Sequence, residues 1–167
     1  VLFAIRFAPQ PSPVEFLPQA EETGFIVPID LWVLREACRK TAEWQKKFPQ
    51  AKDLRINVNL STKHFSQPGL VERVGEALAS AGLDGSSLTL EITESAIMEE
   101  SQSLDGLMAK IRELKVQLYL DDFGTGYSSL GYLNRFPINS LKIHQSFVGQ
   151  LGSEGGQGHL VRTITTL

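Results

Sequence analysis

The 167-residue sequence is poor in the residues that build disulfide and zinc frameworks. It has one cysteine, Cys38, so no intramolecular disulfide can form and the chain suits a reducing compartment. Its three histidines, His64, His144 and His159, show no Cys or second-His ligand spacing. Long apolar runs are absent as well. None approaches the length needed to span a bilayer, and the N-terminus lacks the basic-then-apolar pattern of a signal peptide. Nor is there an excess of positive charge: the net charge is −3, which argues against coating a DNA or RNA polymer, because that takes many clustered Lys and Arg. A small anionic ligand held by one or two local cations stays compatible with this balance. Low-complexity tracts and evident linkers are also missing.

What is present reads as one ordinary α/β domain with its own core, at 42% hydrophobic and 21% charged residues. The apolar period alternates between two and about 3.6, the pattern of repeated βα units. Strands are expected at Val1–Phe7, Leu54–Leu60, Leu88–Ile92, Leu118–Asp121 and Asn139–His144. A short helix over Val14–Thr23 should close at Gly24, and a long one should run from about Ile29 to Phe48, with Leu31, Leu34, Cys38 and Ala42 on one face. Leu70–Ala81 is a helix stopped by Gly82, and Leu104, Leu107, Ile111 and Leu114 mark another. A last helix follows the Gly-rich stretch around Gly155–Gly158 and runs into Leu167. Strands joined by helical crossovers imply a parallel sheet, either doubly wound or part of a (β/α)8 barrel.

Strand parity bears on that choice, since successive side chains face opposite sides. Leu54, Ile56, Val58 and Leu60 oppose Asn57 and Asn59; Leu88, Leu90 and Ile92 oppose Thr89, Glu91 and Thr93. Leu118 and Leu120 oppose Tyr119 and Asp121, while Leu141 and Ile143 oppose Ser140, Lys142 and His144. One aliphatic and one polar parity fits a barrel whose polar residues point inward, late in each strand, at the rim where barrel enzymes place their chemistry. A sheet with one solvated face is the plainer alternative.

Asn59, Glu91, Asp121 and Asp122 offer only hard oxygen donors, which suit Mg²⁺ or Mn²⁺. Carboxylates gathered this way repel one another without a cation. Two adjacent aspartates leaving a strand can serve two ions, as in two-metal phosphoryl-transfer sites. An inward Lys142 calls for a carboxylate or phosphate partner. Glu94 either accepts hydrogen bonds from the loop holding Gly124-Thr125-Gly126 or caps its own next segment, and that glycine run is by itself an ordinary strand-to-helix loop. His144 shares the inward parity, and a core histidine is an equal reading. His64 and His159 read as surface or loop residues, while Cys38, Trp32 and Trp44 read as core.

Taken together, Asn57-Val58-Asn59-Leu60-Ser61, Glu91-Ile92-Thr93-Glu94-Ser95, the run Asp121-Asp122-Phe123-Gly124-Thr125-Gly126-Tyr127-Ser128-Ser129-Leu130 and Leu141-Lys142-Ile143 resemble the EAL-type cyclic-di-GMP phosphodiesterase family; Pro18 through Gly24 resembles its early helix. The resemblance spans nearly the whole chain. It implies a (β/α)8, TIM-barrel-type domain, occupying residues 1–167 in part, that opens cyclic di-GMP to linear pGpG with Mg²⁺ or Mn²⁺ in bacterial second-messenger signalling. It implies metal ligands at Asn59, Glu91, Asp121 and Asp122, catalytic roles for Lys142 near the attacking water and for Glu94 in steadying the Asp-Asp loop, and a phosphate contact at Arg6. It also implies a homodimer through the Asp121–Leu130 region, and a cytoplasmic domain of the kind carried by larger, membrane-anchored signalling proteins.

The sequence departs from the family pattern in three places. Anchoring on Arg6-Phe7 puts Leu2-Phe3-Ala4 where the family has Glu-Ala-Leu, so Leu2 stands in place of a metal-binding glutamate. The loop at Ala8–Ser12 is short, and His144-Gln145 replaces an acidic residue and its polar or basic neighbour. About five of the strands are expected here, without the family's first strand or the portion carrying its general-base glutamate. Three readings follow: a phosphodiesterase, a degenerate receptor that binds cyclic di-GMP without cutting it, and a protein-interaction module.

Overall fold

Pro13 opens the first helix, α1 (Pro13–Thr23), at a position where a missing amide hydrogen leaves no bond unmade. Gly24 closes it at φ 76°, donating its N–H to the Glu21 carbonyl. The computed structural model describes residues 12–99, 104–124 and 136–148. The expected strand at Val1–Phe7, with Leu2 and Arg6, lies outside the described residues, as do the expected last helix, His159 and the run from Thr125 to Leu130.

The long helix α2 (Ile26–Lys47) buries a stripe of Ile26, Asp30, Leu34, Ala37, Cys38, Thr41 and Ala42. The spacing is that of an amphipathic helix with one core face, and Asp30 is the one acid on it. Trp32 and Trp44 correct the expectation of a core role, at 49% and 37% exposure. Trp32 lies on the face opposite the stripe. Trp44 sits in the last turn, over a surface depression it shares with Phe48, Ala51 and Leu54.

Among the described residues four parallel strands follow: β1 (Ile56–Asn59), β2 (Leu88–Thr93), β3 (Gln117–Phe123) and β4 (Ser140–Ile143). Their order in the sheet is the order in the chain. Doubly wound sheets reverse strand order at a switch point, whereas barrels add strands in sequence, so this order decides for the barrel path. The connections are α3 (Thr62–Phe65) and α4 (Leu70–Ala81), then α5 (Glu94–Glu99) and α6 (Leu104–Glu113), with α7 (Gln145–Val148) after β4. At its end α4 turns through Gly82 at φ 63°, and Leu83 donates to the Leu78 carbonyl.

Val58, Leu88, Leu90, Ile92 and Leu120 are fully buried and pack toward Leu34, Val74 and Ile111 of the helices. A fully buried aliphatic side chain contributes about 1.5–3 kcal/mol. The opposite parity of β2 is not solvated either, for Thr89 and Glu91 are 1% and 4% exposed. A sheet with one open face would leave both in water, so at its centre this sheet is covered on both sides.

β3 and β4 pair regularly at Leu120↔Leu141 and again at Phe123↔Ile143. Two residues, Asp121 and Asp122, therefore stand opposite the single residue Lys142, which is a β-bulge. Asp122 takes φ 55°, a left-handed conformation that Asp tolerates better than most side chains. The extra residue shifts the parity by one, returning Phe123 to the core beside Leu118 and Leu120.

Candidate functional site

Glu91 is the centre of the polar face. One carboxylate oxygen accepts a hydrogen bond from the Asn57 amide at 2.6 Å, and the other lies 2.6 Å from the Lys142 ammonium. The same ammonium is 3.5 Å from Asp121 Oδ2. Register sets the gathering: Asn59 pairs with Glu91, Glu91 with Tyr119 and Tyr119 with Ser140, and Asp121 and Lys142 stand two residues beyond that row on β3 and β4, within reach of Glu91. Asn59 is exposed at the last position of β1, two residues beyond Asn57 on the same parity.

The bulge separates the duties of the two aspartates. Asp121 points toward Lys142 with one oxygen and accepts the Asp122 N–H at 2.9 Å with the other. Asp122 is exposed, its backbone turned by the positive φ. Just beyond, Gly124 donates its N–H to Glu94 Oε2 at 3.0 Å, and Glu94 is buried at 2% exposure. Of the two sequence alternatives for Glu94, the bond to the neighbouring loop is present in this geometry. Gly124 has φ 98°, a backbone conformation that favours glycine, and a Cβ there would lie 2.8 Å from the edge of the Phe147 ring, which would have to shift.

Partial burial pulls the Lys142 ammonium down, but the hydrogen bond and charge of Glu91, joined by Asp121, outweigh it and hold the group above the ordinary lysine value. Lys142 is thus a cation at neutral pH. Among the described residues no three His, Cys, Asp or Glu side chains stand together as a ready metal cage. Glu91 and Asp121 nevertheless turn oxygens toward one shared cation, and every nearby donor is a hard oxygen. That donor set fits Mg²⁺ or Mn²⁺ in charge and chemistry. Cys38 is fully buried and its thiol is pushed up to about 11 by desolvation, so it offers neither a ligand nor a nucleophile.

Two further features were not singled out from the sequence. Asn57 is a direct partner of Glu91; its shared parity with Asn59 was the available signal. The second is a cluster below the rim, where Asp30 of α2 accepts from both the N–H and the O–H of Ser61, at 2.9 and 2.5 Å, with His64 Nδ1 3.6 Å away. His64 is fully buried, correcting its reading as a surface residue. It lies in the four-residue α3, which Ser61 caps by accepting the His64 N–H, and its ring packs near Asp30 of α2. An acid on the buried stripe of α2 was the legible sign of this cluster. His144 is half-buried, with Nδ1 accepting the Ser146 N–H at 3.3 Å and lying 2.8 Å from the Ser146 hydroxyl.

Residues 8–167 match the family model described as EAL domain. The bifunctional diguanylate cyclase/cyclic di-GMP phosphodiesterase MucR of Pseudomonas aeruginosa is 41% identical over 156 residues, which are 93% of this chain and 22% of that protein. A solved structure of PaMucR phosphodiesterase in its c-di-GMP complex superposes with a TM-score of 0.86 at 40% identity, covering 95% of this chain and 65% of that one. The Xanthomonas citri FimX EAL domain in complex with c-diGMP gives a TM-score of 0.84 at 27% identity, over 96% of this chain and 62% of the other. This chain thus spans about a fifth of the length of a curated relative such as MucR and under two thirds of the matched structures. Sequence-ordered parallel strands, a polar rim centred on Glu91 and a match over nearly all its length establish that the chain belongs to the EAL domain family and has that family's TIM-barrel-type α/β fold.

Proposed function

We propose that this chain is the part of a cyclic di-GMP phosphodiesterase that holds divalent metal and the bound nucleotide's phosphates. The observation that carries the reading is the convergence of Glu91 and Asp121 on one cationic group at the strand ends, inside a chain 41% identical to MucR. Asn59, Glu91, Asp121 and Asp122 are the residues that would hold the ion. A divalent ion bound there supplies positive charge against the phosphate and makes a bound water more acidic. Lys142 keeps a permanent positive charge beside the carboxylates and orients water and phosphate oxygen by hydrogen bonding. Glu94 fixes the backbone after the aspartate pair through Gly124. Arg6, outside the described residues, is assigned to a ligand phosphate by its match to the family motif.

One observation favours the alternative of a receptor that binds the dinucleotide without cutting it. The Lys142 ammonium, 2.6 Å from Glu91 and 3.5 Å from Asp121, already offsets part of the carboxylate charge, so a metal competes with it for those oxygens. Leu2, which stands where the family carries a glutamate, removes one oxygen ligand and points the same way.

The two readings separate when the full-length protein is incubated with cyclic di-GMP and Mn²⁺ and the products are resolved chromatographically. Appearance of pGpG, lost on Glu91→Ala, supports hydrolysis. Calorimetric binding without pGpG supports the receptor. Neither signal returns the chain to a protein-interaction module.

A further inference from the structure

We infer that Asp30 is a positioning residue for Asn59, acting through Ser61. The inference rests on the proposed role of Asn59 as a metal ligand. A carboxylate on the apolar stripe of a helix is unfavourable unless hydrogen-bonded, and Asp30 is 8% exposed between Ile26 and Leu34. Its Oδ2 takes two bonds from a single residue, the Ser61 amide at 2.9 Å and the Ser61 hydroxyl at 2.5 Å.

The place of those bonds in the chain gives them their consequence. Leu60 N–H donates to the Glu91 carbonyl at 2.8 Å and so extends the β1–β2 ladder one residue past β1. The next amide, that of Ser61, turns to Asp30 instead. Asp30 thereby takes over as acceptor where the sheet stops supplying one. Asn59 sits immediately before these two anchored amides, with its side chain on the polar parity. Releasing Ser61 leaves the end of β1 held on one side only, and the direction of the Asn59 side chain loosens with it. The buried His64 ring, 3.6 Å from the same Asp30 oxygen, closes the cluster from the α3 side.

Outer residues that orient a ligand typically change metal affinity by roughly 10- to 100-fold when removed. The test is Mn²⁺ affinity of the full-length protein without nucleotide, measured by calorimetry, in a double-mutant cycle with fold monitored by circular dichroism. Asn59→Ala and Asp30→Leu should each weaken Mn²⁺ about 10-fold, and Asp30→Asn, which keeps an oxygen acceptor, should recover most of the loss. In the Asn59→Ala background Asp30→Leu should have no further effect. An equal loss from Asp30→Leu in both backgrounds, or none in either, overturns the positioning role while leaving Asn59 as a ligand. Unchanged Mn²⁺ affinity in Asn59→Ala overturns the ligand reading, and the inference with it. Should Asp30→Leu fail to fold, Ser61→Ala, which keeps the amide bond to Asp30 but removes the hydroxyl bond together with the α3 cap on the His64 N–H, runs through the same cycle with the same criteria.

Discussion

Each oxygen of Glu91 serves a different neighbour, Asn57 on one side and Lys142 on the other, and that division makes it the least replaceable residue of the rim. Glu91→Ala leaves an amide without its acceptor and an ammonium facing Asp121 alone. Lys142 is 40% exposed, so the loss falls short of a fully buried ion pair, at about 2 kcal/mol, readable as a lower urea midpoint. Lys142 adds a pH dependence in protein freed of divalent ions. Its folded-state value lies above that of the unfolded chain, so its stabilisation is complete below the unfolded value and disappears as pH climbs through the folded one. Urea titrations should therefore show stability falling on the alkaline side of the ordinary lysine range, with a flatter profile in Lys142→Met. At this scale the sequence was informative where parity spoke: Glu91, Asp121 and Lys142 share a face because strand side chains alternate. Asp30 and His64 were not legible as a pair, because they lie on different helices, α2 and α3, with β1 between them in sequence, and only packing brings them together.

The bulge in β3 is the element on which the rim turns, and it joins two glycine contacts as places where backbone shape is decisive. A Cβ on Gly124 would meet the flexible edge of the Phe147 ring at 2.8 Å, whereas one on Gly85 would meet the Leu114 carbonyl oxygen at 1.8 Å. Side chains yield more readily than backbone. Gly124→Ala should thus destabilise by about 2 kcal/mol, mostly through its φ of 98°, and Gly85→Ala by about 4 kcal/mol. Thermal denaturation of both variants checks the order, and Phe147→Ala added to Gly124→Ala should return only the steric part. Helices with a clean apolar stripe were readable, α4 at Leu70–Ala81 as expected and α2 with its start three residues earlier than expected, at Ile26. The short α3, α5 and α7 were not, since one or two turns carry too few residues to display a period. The bulge was hidden for a related reason. An Asp-Asp pair at a strand end looks the same whether the second residue enters a loop or is held inside the ladder.

For the molecule as a whole, sequential strand order and burial on both faces of β2 make the fold a barrel segment in which acids collect at one rim. Among the described residues β1 and β4 each pair on one side only, and closure of such a barrel is what removes sheet edges. A ligand that binds only the folded form raises global stability by mass action. Mn²⁺ at 100 times its dissociation constant should add about 2.7 kcal/mol, seen as a higher melting temperature of the full-length protein. Glu91→Ala should lose that increment, while an exposed control such as Lys52→Ala keeps it. Equal shifts in both proteins would place the ion elsewhere.

Periodicity and composition by themselves determined the alternation of strands and helices, the parallel sheet, the aliphatic and polar faces and the oxygen-only donor set, because each depends on residues near one another in sequence. The tertiary structure alone decided the rest. It set Asp121 and Asp122 in a bulge against Lys142, joined Asn57 to Glu91 and buried Asp30 with Ser61 and His64. These are contacts between strands and helices far apart in the chain, whose register follows from how the whole core packs.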